Sequence, residues 1–106
     1  MIDSKHISDV FSALAHPLRV DILRTLLPRA LEGLTAGELA ERTNTPPSTL
    51  AHHLREMEQS EVILRRPQGR KTIVTPNLTT LSEISALLTQ LCCSQSTRPT
   101  QEGAEL

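Results

Sequence analysis

Two groups of side chains in this chain have types and spacings that could do chemistry. The first opens at Pro46, in PPSTLAHHLREMEQ. At about 100° per residue, Ser48, His52 and Arg55 share one face of a helix with Ala51 beside them, while Leu50, Leu54 and Met57 share the opposite face. Small hydrogen-bonding side chains at the start of a helix let it sink into a major groove about 12 Å wide. There Pro47, Ser48, Thr49, Ala51 and His52 would approach base edges or phosphates, and Arg55 a guanine or a phosphate. His53 lies about 300° round from Leu50, within the apolar stripe, and is read as a packed or backbone-bonded histidine rather than a DNA or metal ligand. The second group is Cys92 and Cys93, the two cysteines of the chain. Adjacent thiols are a soft two-sulfur donor, and in a reducing compartment such pairs serve more often as ligands or redox groups than as structural disulfides. The plainer alternative is that Cys92 continues a leucine stripe as a small core residue and Cys93 is incidental.

Periodicity and punctuation set the helices and strands around these residues. Ile7, Val10, Phe11 and Leu14 recur at helical spacing and give a first helix ending near His16 and Pro17. Pro17 opens a second helix with Leu18, Ile22, Leu23, Leu26 and Leu27 buried and Arg19, Asp21 and Arg24 facing outward. Pro28 stops it, and a loop containing Gly33 leads to Thr35, which with Glu38 makes a capping box at the start of a short third helix burying Leu39 and Ala40. Asn44 suits the left-handed turn that follows. Thr45 as N-cap and Pro46 at the first position predict a fourth helix to about Gln59.

After Glu61 the runs VILRR and RKTIVT predict a hairpin, with Pro67 and Gly69 at the second and fourth positions of its turn. Arg65, Arg66, Arg70 and Lys71 at its tip would lie along phosphates or enter the minor groove; the alternative is a charged edge that only blocks aggregation. A last helix, LTTLSEISALLTQLCC, carries Leu81, Ile84, Leu88 and Leu91 on one stripe with Leu87 alongside, wide enough for a dimer seam. Its polar face lacks the lysines and arginines of a membrane-surface helix.

Composition sets the bounds. The chain has 106 residues and suits one domain, residues 1–93, followed by a polar tail, 94–106, expected to be disordered. A single aromatic residue, Phe11, makes the core aliphatic. A formal net charge of -1 argues against indiscriminate coating of nucleic acid, so any DNA contact must be local. No apolar run is long enough for a membrane helix and the start is unlike a secretory signal, which predicts a cytoplasmic protein. Scattered histidines, no Gly-rich phosphate loop and no nucleophile beside a base predict that it is not an enzyme and requires no cofactor.

Taken together, HPLRVDILRTLL, GELAERTNTPPSTLAHHLREMEQSEVI and RRPQGRKTIVT resemble the ArsR/SmtB family of winged-helix bacterial repressors over nearly the whole domain. The resemblance implies a mainly α winged helix-turn-helix fold of five helices plus a wing, and a homodimer through the first and last helices. It also implies a recognition helix at residues 46–59 and a wing at residues 63–75. A serine is more usual in the family where Ala51 stands here. The two-fold dimer would read an inverted-repeat operator in double-stranded DNA, with half-sites about 34 Å apart. Some members sense zinc, nickel or cobalt through residues this chain lacks. Cys92 and Cys93 resemble instead the pair of arsenic-responsive members, which implies trivalent arsenic, as arsenite or a methylated arsenical, as inducer. Alternatives are a redox- or persulfide-responsive repressor, or a winged-helix module that binds protein rather than DNA.

Overall fold

The computed structural model describes residues 3–96. Helix α1 spans Ser4–Ala13, capped by the Asp3 carboxylate, which accepts from the His6 amide at 2.8 Å. It stops before the predicted His16–Pro17 boundary, with Leu14 as its C-cap, and His16 is already extended because a residue preceding proline is driven out of the helical region. Helix α2 spans Pro17–Leu26 with Pro17 in its first turn, followed by one 3-10 turn at Leu27–Arg29. Ile22 and Leu26 are buried; Leu27, expected in the stripe, is exposed.

Arg19 does not face outward but is buried, with 7% of its surface exposed. It stands at i of the i, i+3, i+4, i+7 series completed by Ile22, Leu23 and Leu26, so the helical phase carries it inward despite its charge.

The loop predicted up to Leu34 ends instead in a short strand, β1, Leu34–Thr35. Gly33 enters it at φ 74°, where an added Cβ would lie 2.6 Å from the Val74 carbonyl oxygen. Helix α3, Ala36–Arg42, opens on the predicted capping box: Thr35 Oγ1 accepts from the Glu38 amide at 3.0 Å and Glu38 Oε1 accepts from the Thr35 amide at 2.8 Å. The bond from the Thr35 amide holds the Glu38 carboxyl below its usual range. Asn44 takes the left-handed conformation, φ 52°. Helix α4 is Pro47–Gln59, with Pro46 rather than Thr45 as N-cap. Pro46 precedes a second proline, which excludes it from the helix, and the Thr45 hydroxyl turns back to the Thr43 carbonyl instead.

Glu61, also left-handed at φ 64°, turns the chain into β2, Ile63–Gln68, which pairs antiparallel with β3, Lys71–Pro76. The hairpin turn is two residues later than predicted: Pro67 pairs with Thr72 inside the ladder, and Gly69 and Arg70 form the loop, with Gly69 at φ 63°. Proline is tolerated there because β2 is an outer strand of the sheet, whose order is β1-β3-β2. Helix α5, Leu78–Ser96, closes the described chain and runs past Cys93. The expectation of disorder for the tail falls, from residue 97 on, outside the described residues.

The core is aliphatic. Val10 of α1, Ile22 and Leu26 of α2, Leu39 of α3, Leu50, Leu54 and Met57 of α4 and Ile63 and Val74 of the hairpin form one buried cluster, which Ile84 of α5 joins. Among the described residues no helix is long and apolar enough to cross a membrane.

Candidate nucleic-acid interface

The face of α4 opposite Leu50, Leu54 and Met57 is open to solvent. Pro47, Ser48, Thr49, Ala51, His52 and Arg55 are all exposed, so one surface carries two hydroxyls, an imidazole and a guanidinium around a methyl group. The short turn Thr43–Pro46 fixes how α4 leaves α3: the Thr45 amide donates to the Ala40 carbonyl at 2.9 Å, and the Thr43 hydroxyl to the Leu39 carbonyl. Apolar burial on one side thus aims the polar side outward.

The wing supplies charge unevenly. Arg66, Arg70 and Lys71 are exposed, and Arg70 lies in the loop itself. Arg65 is not at the tip: it pairs with Val74 in the sheet and is half-buried, its Nη2 2.7 Å and Nε 2.9 Å from Glu58 Oε1. That ion pair ties the last turn of α4 to the root of the wing, so Arg65 orients the hairpin relative to the helix.

His53 is half-buried, as its angular position predicted, and its partner is a side chain rather than backbone. Arg19 Nε donates to His53 Nδ1 at 2.9 Å, while Arg19 Nη1 donates to the Ala13 carbonyl at 3.3 Å. The His52 and His16 rings stand 5.5 Å and 6.1 Å from the His53 ring, centroid to centroid. Burial, and then the positive charge of Arg19 and the neighbouring His52 and His16, hold the His53 pKa below the usual histidine range. Sequence reasoning missed Arg19 because charge was equated with exposure; its phase with Ile22, Leu23 and Leu26 was the available signal.

Cys92 and Cys93 are both exposed on α5. They share one shallow groove with Leu81, Ile84, Ser85, Leu88 and Thr89, so although successive helical positions diverge by about 100°, both thiols open onto one surface. Among the described residues no three His, Cys, Asp or Glu side chains converge as a metal site.

Comparison with known proteins agrees with this geometry. Residues 14–66 match the model of a helix-turn-helix domain family, a span from the end of α1 through α4 into the wing. The chain is 33% identical over 76 residues to the transcriptional repressor SdpR of Bacillus subtilis (strain 168), covering 72% of this chain and 81% of that protein. In structure it is similar to RHA00566, an ArsR family transcriptional regulator, with a TM-score of 0.76 and 24% identity over 92% of this chain and 97% of that one. It is similar too to the homodimeric winged helix-turn-helix domain Mb0332 of Mycobacterium bovis, with a TM-score of 0.67 and 17% identity over 92% and 88% of the two chains. With a family match over half of the chain and a transcriptional repressor among its relatives, the chain belongs to the helix-turn-helix domain family, here in the winged form of that fold.

Proposed function

We propose that the protein is a homodimeric, cytoplasmic transcriptional repressor that reads an inverted-repeat operator with α4 and the wing and leaves it when a trivalent arsenical binds Cys92 and Cys93. The observation that carries the DNA-reading part is the two-sided character of α4: Leu50, Leu54 and Met57 are buried while Ser48, Thr49, His52 and Arg55 are exposed together. Kinship with a repressor supports the direction of regulation. Exposed apolar residues on α1 and α5, namely Phe11, Leu88 and Leu91, support the dimer, as does the homodimeric state of Mb0332.

In the inducer part, two thiolates of each protomer take the arsenic, with the third position filled by hydroxide, a methyl group or a thiol of the partner subunit. Exposure of both sulfurs at one groove is what supports it. Because the groove lies on the proposed dimer helix, ligation shifts α5 and with it the separation of the two reading helices. A coupling of about 1–3 kcal/mol then lowers operator affinity roughly 5- to 150-fold.

The test is operator binding by fluorescence anisotropy, on a duplex selected from a random pool, with arsenite, methylarsenite and peroxide as separate additions. Release by an arsenical in the native protein but not in Cys92→Ser or Cys93→Ser supports the proposal. Release by peroxide alone selects the redox alternative, and affinity untouched by any arsenical ends the inducer assignment. Selection of no duplex at all would transfer the fold to protein recognition.

A further inference from the structure

We propose that Arg19 and His53 are positioning residues for DNA reading: the bond from Arg19 to the unprotonated His53 ring holds α4 in its binding orientation, and protonation of that ring releases the operator in mildly acidic medium. The proposal rests on α4 being the DNA-contacting helix.

The geometry is one-directional. A guanidinium is always protonated and only donates, so Nδ1 can be its acceptor only while that nitrogen carries no proton. Once both ring nitrogens are protonated, two donors face each other at 2.9 Å and the bond becomes a repulsion. Arg19 cannot retreat easily, being buried and also bonded to the Ala13 carbonyl at the end of α1. The ring therefore moves instead, and it sits on α4 next to His52, on the exposed face.

The surroundings are mixed in charge. Arg19 and His16 approach His53 from α2 and its leading residue, and His52 from α4 itself. Asp9 of α1 and Glu56 of α4 line the cleft at Arg19, together with His16 and Ser60. The acids lie in the guanidinium's cleft, whereas imidazoles and the guanidinium itself crowd the ring, so His53 is disfavoured as a cation. The bond is accordingly intact at neutral pH and lost as the medium falls below the ordinary histidine range.

The experiment uses the full chain and a duplex that it selects from a random pool near pH 7.5. Affinity is followed by anisotropy down to about pH 5.5 at constant ionic strength, with circular dichroism to show that the protein stays folded. The wild type is expected to lose affinity several-fold, up to the limit of about tenfold that uptake of one proton allows one pH unit below the ordinary histidine value. His53→Asn, whose Oδ1 accepts at any pH, should bind like wild type at neutral pH and keep its affinity in acid. His52→Asn should retain the acid loss, and His53→Leu should bind weakly throughout. A second readout needs no DNA: in NMR, the amide shifts of α4 should follow the His53 ring titration in wild type and not in His53→Asn. A flat wild-type profile, an equal acid loss in His53→Asn, or α4 amides indifferent to the ring would each overturn the proposal. Selection of no duplex would instead remove the DNA-reading premise, and the proposal with it.

Discussion

A buried guanidinium bonded to two neutral acceptors is costly to lose as well as to keep. Arg19→Met would leave the Ala13 carbonyl and His53 Nδ1 without their donor; the orphaned buried carbonyl costs about 1–3 kcal/mol, and the half-buried ring nitrogen adds less. Urea unfolding of Arg19→Met should therefore show a lower midpoint with an unchanged slope. Folded-state depression of the His53 pKa has its own signature in stability. Its contribution is fully present above the unfolded value, about 6.5, and is lost as pH falls from there through the folded value, because the unfolded chain binds the proton more readily. The urea midpoint should drop on acidification through this window, and His53→Asn should flatten that part of the curve. On the exposed surface, Arg55 and Arg70 should separate by kind. Arg55→Ala is expected to cost about 1–3 kcal/mol on the selected duplex and to relax specificity at one base pair, whereas Arg70→Ala should weaken all duplexes alike and reduce the salt slope by about one. Competition binding across single-base variants at several salt concentrations distinguishes the two.

Elements whose signals are local were legible from the sequence; those fixed by distant partners were not. The Thr35 and Glu38 capping box, the left-handed Asn44 and the buried face of α4 all depend on residues a few positions apart, and each stands as read. Strand β1 was invisible because two residues show no period, and they become a strand only by pairing with Val74 and Ile73, far along the chain. The hairpin turn lies beyond Pro67 because proline, a turn former by its fixed φ, is equally accommodated on an outer strand. Within the interface, exposure of Ser48, His52 and Arg55 was legible, but the withdrawal of Arg65 onto Glu58 was not, since it requires the hairpin to fold back on α4. Two glycines give an element-scale prediction. Both are left-handed, so alanine costs about 1–2 kcal/mol of backbone strain at either. Gly33→Ala also drives a methyl group into the Val74 carbonyl, while at Gly69 nothing lies within 4 Å. Thermal melts should rank Gly33→Ala well below Gly69→Ala.

At the scale of the whole molecule, the unpaired apolar surface is the feature that demands a partner. Phe11, Leu78, Leu88 and Leu91 are between 44% and 54% exposed, and they lie on the two helices proposed to join the protomers. If the proposed dimer forms through these helices, Leu88→Glu or Leu91→Glu should convert it to monomer in sedimentation equilibrium and abolish tight operator binding while the helical circular dichroism persists. Both ends of α4, meanwhile, are anchored by left-handed residues, Asn44 before it and Glu61 after it. A rod pinned at its two ends cannot creep along its own axis without forcing both hinges out of a narrow conformational well. In the proposed dimer, adjusting the fit to a differently spaced pair of half-sites would therefore fall to rotation of one protomer against the other, which leaves the register of α4 untouched.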